Sequence, residues 1–184
     1  MGRPRLPIDI EDSLALLFRQ RGFDGVSLSV IAEQSGMGKA SLFHRFPGGK
    51  DDMARATIRA VAEQFENALA AALEKANVAQ TQQKLHIFLC DFYARGQLGC
   101  LIGVFSVPEI AARFRPELQQ MLRCITDSIC GFLRRLGFTK IQATLKADDF
   151  LADLQGSLVL SSINADANQF DKRMKRALVR LFNA

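Results

Sequence analysis

Lys39, Ser41, His44 and Arg45 stand close together, and their side chains suit hydrogen bonding to phosphates and base edges. Leu42 and Phe46, at i and i+4, turn inward on the same short helical pattern, so the polar group falls on the outer face with Phe43 at its edge. An arginine on such a face can bond a guanine edge bidentately, and a lysine can reach a phosphate. The enclosing segment, SLSVIAEQSGMGKASLFHRF from Ser27 to Phe46, reads as two short helices about a turn centred on Gly36. That is an arrangement by which a helix enters a DNA major groove. The same spacing also fits an ordinary helical hairpin with a polar solvent face.

The elements that must hold this face are written into the neighbouring residues. Ser27 is placed to cap the first helix by accepting a free N–H. Leu28, Ile31 and Ala32 share one face, Gly36 suits a left-handed turn, and Met37 can fill the gap between the helices. Pro47-Gly48-Gly49 stops the second helix. Upstream, Ile8, Leu14, Leu17 and Phe18 form an apolar stripe closed by Gly22, with Phe23 and Val26 anchoring the loop. Downstream, Lys50 to about Ala76 forms a long helix with Met53, Ala56, Ala60, Val61, Phe65, Leu69 and Leu73 along one side; it would run about 40 Å.

The remaining chain also reads as helical, giving an all-α fold of about nine helices. Thr81 is expected to cap a helix over about Gln82–Gly96, carrying Leu85, Phe88, Leu89, Phe92 and Tyr93. A looser stretch, Gly96–Gly103, holds three glycines. Pro108 is expected to open a short helix to about Phe114, and Pro116 a second one to Leu136. Phe150–Ala165 and Asn168–Phe182 close the chain. The 184 residues, 48% of them hydrophobic, allow one domain or two small ones with a real core, and exclude a disordered chain. The formal charge of +5 is compatible with nucleic acid. No apolar run reaches transmembrane length and the first residues lack a signal peptide's apolar stretch, so a cytoplasmic location is expected. Four cysteines, Cys90, Cys100, Cys124 and Cys130, fit free thiols in a reducing compartment. Their spacing does not match a zinc site, and His44 and His86 are the histidines of the chain. No metal or cofactor is expected.

The basic arm, the first helix ending Arg21-Gly22-Phe23, and the run GVSLSVIAEQSGMGKASLFHRFPGGKDDM together resemble the DNA-binding domain of the tetracycline-repressor (TetR) family. The resemblance covers about residues 8 to 55 and rests on Ile31, Ala32, Gly36, Met37, Leu42, Phe43, Arg45, Phe46, Lys50 and Met53. The chain departs from the family with Met37 for the usual valine, Phe43 for tyrosine and Arg45 for histidine. The extra glycine in FPGGK resembles the LmrA/YxaF-like branch.

The resemblance implies an N-terminal helix-turn-helix domain over residues 1–49 and a C-terminal effector-binding and dimerisation domain over residues 50–184. It implies a transcriptional regulator, not an enzyme, that binds a palindromic double-stranded operator as a homodimer. DNA contact would fall to Arg3 and Arg5 of the arm, to Ser27 and Ser29, to Lys39, Ala40, Ser41, Phe43, His44 and Arg45, and to Lys50. Phe43 cannot make the phosphate bond that a tyrosine hydroxyl would make there. The last two helices would pair with a partner's, using stripes of Leu151, Leu154, Leu158, Phe170, Met174, Leu178 and Leu181. A small apolar or aromatic effector would lie among Phe65, Phe88, Phe92, Tyr93, Cys100, Leu101, Phe105, Met121, Ile125 and Phe132; these side chains also fit a plain core. Two rival classes remain at this point. A helical DNA-binding architectural protein without ligand control would show sequence-independent binding, and an all-helical enzyme would need a catalytic grouping that His86, with no paired nucleophile in the sequence, does not supply.

Overall fold

The computed structural model describes residues 10–74, 77–164 and 166–183, and every regular element among them is helical. The first three helices form a small head: α1 (Ile10–Arg21), α2 (Leu28–Ser35) and α3 (Lys39–Arg45). Glu11 and Asp12 open α1 while Arg19 and Arg21 close it, complementing the helix dipole at both ends. Leu14, Phe18, Phe23, Val26, Ile31 and Leu42 are all buried and knit the three helices together. Ile8 lies outside the described residues.

α4 (Lys50–Leu73) has 24 residues, so it runs about 36 Å. It packs on α1 of the head and on α7 (Pro108–Arg135) of the body. Two stretches connect them: α5 (Val78–Phe92), and a 3₁₀ turn Ala94–Gly96 leading to the one-turn α6 (Leu101–Val104). α8 (Lys140–Asn164) and α9 (Ala167–Phe182) follow. In the body, α4 packs on α7, α7 on α8, α8 on α9, α9 on α5, and α5 back on α4, closing a ring of helices around an apolar core. No described helix is long and apolar enough to cross a membrane.

Four expectations about the elements are corrected. α5 is capped by Asn77, whose side chain accepts the Gln80 N–H at 3.0 Å. Thr81 lies inside that helix, buried, with its hydroxyl directed to the Ala72 carbonyl at 3.4 Å. Pro116 does not open a new helix: α7 runs unbroken from Pro108 to Arg135 with Pro116 inside it. An interior proline forfeits one backbone hydrogen bond and costs about 3 kcal/mol in an isolated helix. Here Ile110, Phe114, Leu118, Met121 and Ile125 form one buried stripe on both sides of it, and that packing outweighs the break. α8 starts at Lys140, ten residues before the expected Phe150. Its start is set by a capping box: the Thr139 hydroxyl accepts the Gln142 N–H at 3.3 Å and the Gln142 side chain accepts the Thr139 N–H at 2.9 Å.

The fourth correction concerns the apolar stripes of α8 and α9. Leu154, Leu158, Phe170, Met174, Leu178 and Leu181 are buried within the chain, so they build the core of the body rather than an outer face. A second apolar stripe occupies the opposite side of α8. Ile141, Leu145, Ala152, Gly156, Val159, Leu160 and Ile163 are exposed and fall within an arc of about 100° at the helical step.

Candidate nucleic-acid interface and effector body

The open face of the head is built from the inside outward. Ser27 caps α2 by accepting the Val30 N–H at 3.3 Å, and Gly36 ends α2 in the left-handed conformation (φ 67°). The Ser35 hydroxyl donates to the Ile31 carbonyl at 2.7 Å and accepts the Met37 N–H at 3.3 Å, which ties the turn to the end of α2. Leu42 and Phe46 then lock α3 onto the head core. Asp52 accepts the Gly48 N–H at 2.6 Å and so fixes the FPGGK turn between α3 and α4.

Lys39, Ala40, Ser41, Phe43, His44 and Arg45 are all exposed, on one side of the head. Ser27 and Ser29 are exposed at the start of α2. The Lys39, Ser41 and His44 side chains carry no intramolecular hydrogen bond or ion pair among the described residues. Arg45 is differently placed: its guanidinium bonds the Glu11 carboxylate of α1 at 2.8 Å and 3.0 Å. Lys50 turns inward, donating to the Phe23 carbonyl at 3.2 Å with its ammonium 4.2 Å above the Phe23 ring. Arg3 and Arg5 lie outside the described residues.

Head and body are joined by specific contacts. Phe18 and Phe23 of the head stack edge or tilted on Phe105, with Phe114 of α7 completing the cluster at centroid distances of 5.2–5.8 Å. Within the body, beside that junction, Arg113 of α7 pairs with Asp51 of α4, and Arg55 of α4 with Glu117 of α7 at 3.0 Å. Arg19 of α1 donates to the Phe92 carbonyl at 3.2 Å, and its guanidinium lies 4.4 Å from the Phe92 ring centroid and 5.3 Å from that of Tyr93. Burial holds its pKa below the usual arginine value. Its Nε and second terminal nitrogen are buried without a hydrogen-bond partner among the described residues. Sequence reasoning overlooked Arg19, because on α1 it reads as an ordinary last-turn cation.

The ten expected effector residues do not line one surface. Phe65, Phe88, Phe92 and Tyr93 form a contiguous aromatic cluster, and the Tyr93 hydroxyl donates to Cys100 Sγ at 3.7 Å. Burial and the adjacent Cys100 push the Tyr93 pKa well above the usual phenol value. Cys100 itself is buried. Phe105 belongs to the head–body junction, and Phe132 pairs instead with Phe182 at 5.6 Å. Leu101, Met121 and Ile125 are buried in the core.

One grouping was absent from the sequence reading. His86 and Cys90, one helical turn apart on α5, meet Asp171 of α9: His86 Nε2 lies 3.0 Å from Asp171 Oδ1 and 3.6 Å from Cys90 Sγ. The i, i+4 spacing of His86 and Cys90 was legible; Asp171, 81 residues beyond Cys90, was not.

A short capped helix pair, presenting an open helix from a head seated on a ring-shaped helical body, defines a helix-turn-helix fold. Residues 12–57 match the model of the bacterial regulatory proteins of the tetR family. The HTH-type transcriptional regulator LmrA of Bacillus subtilis (strain 168) is 34% identical over 58 residues, a match spanning 32% of this chain and 31% of LmrA. A TetR transcriptional regulator from Legionella pneumophila superimposes with a TM-score of 0.83 at 18% identity, over 96% of this chain and 97% of that one. The transcriptional regulator FadR from Bacillus subtilis, solved in complex with stearoyl-CoA, superimposes with a TM-score of 0.66 at 15% identity, over 95% and 96% of the two chains. The tetR-family match covers residues 12–57, the chain spans about a third of the length of the curated relative it matches, and the solved structures, at 15–18% identity, share its fold.

Proposed function

We propose that the chain is a one-component transcriptional repressor that binds a palindromic operator as a homodimer and is released by a small apolar or aromatic effector. The reading takes residues 1–49 as the DNA-binding head and residues 50–184 as the effector and dimerisation body, acting in the cytoplasm. The observation that carries it is the open face of α3, where Lys39, Ser41 and His44 stand exposed on a helix fixed from behind by Leu42 and Phe46. Lys39 takes a phosphate or a guanine edge, Ser41 a phosphate or base, and His44 the groove floor, with Ala40 and Phe43 packing beside them. Ser27 and Ser29 take a phosphate at the start of α2, and Arg3 and Arg5 enter the minor groove. Lys50 keeps two N–H donors for the backbone, and Arg45 reaches DNA by exchanging Glu11 for it.

The effector reading is supported by the aromatic cluster around Phe65 and by the fold shared with FadR, which was solved holding stearoyl-CoA. The Phe65, Phe88, Phe92 and Tyr93 side of the body receives the ligand, with Cys100, Leu101, Met121 and Ile125 behind it, Phe105 toward the head and Phe132 at the far end. Arg19, with two unpartnered nitrogens at the edge of that cluster, couples the ligand to the head. A ligand releases DNA only to the extent that it binds the released state more tightly.

Selection of bound DNA from a random pool by the full chain tests the reading. A palindrome is expected; sequence-independent binding would favour an architectural protein, and no binding would remove the DNA-reading role. On the selected operator, Lys39→Ala is expected to weaken affinity and to lower the slope of log affinity against log salt by about 2, one phosphate per protomer. Phe43→Tyr is expected to tighten binding by about 2 kcal/mol per dimer, roughly 30-fold, by restoring a hydroxyl where the family has one. Both are read by fluorescence anisotropy over a salt series, and release by hydrophobic ligands in the same assay tests the effector half.

A further inference from the structure

We propose that His86, Cys90 and Asp171 form a binding site for a zinc-class divalent cation that ties α5 to α9. The three donor atoms lie within 4.8 Å of one another. Their separations are 3.0 Å for His86 Nε2 to Asp171 Oδ1, 3.6 Å for His86 Nε2 to Cys90 Sγ and 3.9 Å for Cys90 Sγ to Asp171 Oδ1. A tetrahedral zinc ion, with bonds of about 2.3 Å to sulfur and about 2.0–2.1 Å to nitrogen and oxygen, spaces its ligand atoms about 3.3 Å apart for N···O and about 3.6 Å for pairs with sulfur. The triangle already present therefore has the edges of one face of such a tetrahedron to within a few tenths of an ångström.

Other uses of the trio fit less well. A cysteine–histidine–aspartate relay needs the thiol on one ring nitrogen and the carboxylate on the other. Here both partners converge on Nε2, which cannot relay a proton between them but does place three potential ligand atoms about one point. A redox-sensing thiol needs a lowered pKa. Burial and Asp171 instead push the Cys90 thiol up, and Arg95 and Lys175 offset this only in part. A mixed nitrogen, sulfur and oxygen set is a borderline-soft donor set, suited to zinc and cobalt and unsuited to calcium or magnesium.

The carboxylate is held for the role. Lys175 bonds Asp171 Oδ2 at 2.8 Å, which leaves Oδ1 aimed at His86 and Cys90. Such outer partners orient a metal's ligands. Binding exchanges protons for the ion: Cys90–SH plus M²⁺ gives the metal thiolate and a released proton, the hydrogen on His86 Nε2 leaves or moves to Nδ1 so that Nε2 can offer its lone pair, and the Asp171 carboxylate donates through Oδ1. With three protein ligands, the fourth position is left for water.

Titration of the full-length protein with Co²⁺ tests the site. One ion per chain is expected, with a near-ultraviolet sulfur-to-cobalt charge-transfer band and the visible bands of a tetrahedral ion, both abolished by Zn²⁺. Cys90→Ser is expected to remove the charge-transfer band and weaken affinity by about 100-fold, at the upper end of what loss of even an outer partner costs. Asp171→Asn and His86→Gln change partly exposed side chains and are each expected to weaken affinity by at least about tenfold. They keep the test decisive if Cys90→Ser fails to fold. Replacing Cys100, Cys124 and Cys130 with serine is expected to leave the band intact. No thiolate band in the wild type, a band that survives Cys90→Ser, or Asp171→Asn and His86→Gln affinities equal to wild type would overturn the assignment, leaving an ordinary His–Asp contact beside a buried thiol.

Discussion

Gly96→Val is expected to unfold the body under conditions in which the native chain is fully folded. Gly96 sits at φ +84°, and a Cβ added there would stand 2.8 Å from Ser161 Cβ and 2.9 Å from Phe170 Cβ and Cδ2. Those neighbours are the buried faces of α8 and α9, so the clash is with the core of the body and not with a movable surface chain. The left-handed backbone costs a non-glycine residue about 1–2 kcal/mol, and overpacking adds about 1–3 kcal/mol. Gly96→Ala should therefore lose about 2–5 kcal/mol, and the β-branched valine more, against a total stability of about 5–15 kcal/mol. The turn has little slack to absorb the change, because Ala94 (φ 45°) and Arg95 (φ 54°) are already left-handed. Its geometry is held by the Gly96 and Leu98 N–H groups, both donating to the Tyr93 carbonyl, at 2.9 Å and 3.0 Å. Urea denaturation followed by circular dichroism measures the loss. Gly131→Ala is the control: an added Cβ meets nothing within 4 Å inside α7, so this change is expected to stabilise the chain by up to about 1 kcal/mol.

The contrast between these glycines shows where sequence stops being informative. The three glycines from Gly96 to Gly103 read as a loose stretch, whereas Gly96 is pinned by residues more than sixty positions away. The α2–turn–α3 unit was legible because each determinant is local: the Ser27 cap, the Ile31–Leu42–Phe46 spacing and the Gly36 stop all act within one or two turns. The same kind of local signal was present at Thr139–Gln142, where a capping box starts α8 well before its apolar residues stand out. Pro116 misled because a local rule met a tertiary override, the buried stripe of α7 continuing through it. Arg45 and Lys50 were legible as cations on the right elements, but their engagement with Glu11 and Phe23 depends on how α1 and its following loop fold back against α3 and α4. Partners of that kind have no signature in spacing.

The sequence-read stripes of α8 and α9 are buried in the body, and α8 alone carries a second, exposed apolar stripe, which decides which substitution tests the proposed dimer. α8 is apolar on two opposed faces: Phe150, Leu154 and Leu158 point into the body, while Leu145, Val159, Leu160 and Ile163 are exposed. Half of the ten large hydrophobic side chains exposed among the described residues lie on this one helix. Gly156, where an added Cβ would meet nothing within 4 Å, leaves room for a partner helix to approach. The groove beside it, bounded by Ala152, Leu160, Arg173, Arg176 and the Arg180–Asp153 pair, encloses about 270 Å³. Leu160→Arg adds a fourth cation at that groove and is expected to convert the proposed dimer to a monomer. Leu160 is 46% exposed, so the folded monomer should keep its helical circular dichroism. A single head then holds one half-site without the second head's effective concentration, and operator affinity should fall by at least about 100-fold. Light scattering coupled to size exclusion reads the mass, and anisotropy on the selected operator reads the affinity. A Leu158→Ala chain should behave in the opposite way: Leu158 is 4% exposed, so the change should cost about 2–5 kcal/mol of stability while any molecule that remains folded stays dimeric. If Leu160→Arg left both mass and affinity unchanged, the outer face of α8 would not be the dimer interface. The proposed pairing of two heads would then need another surface.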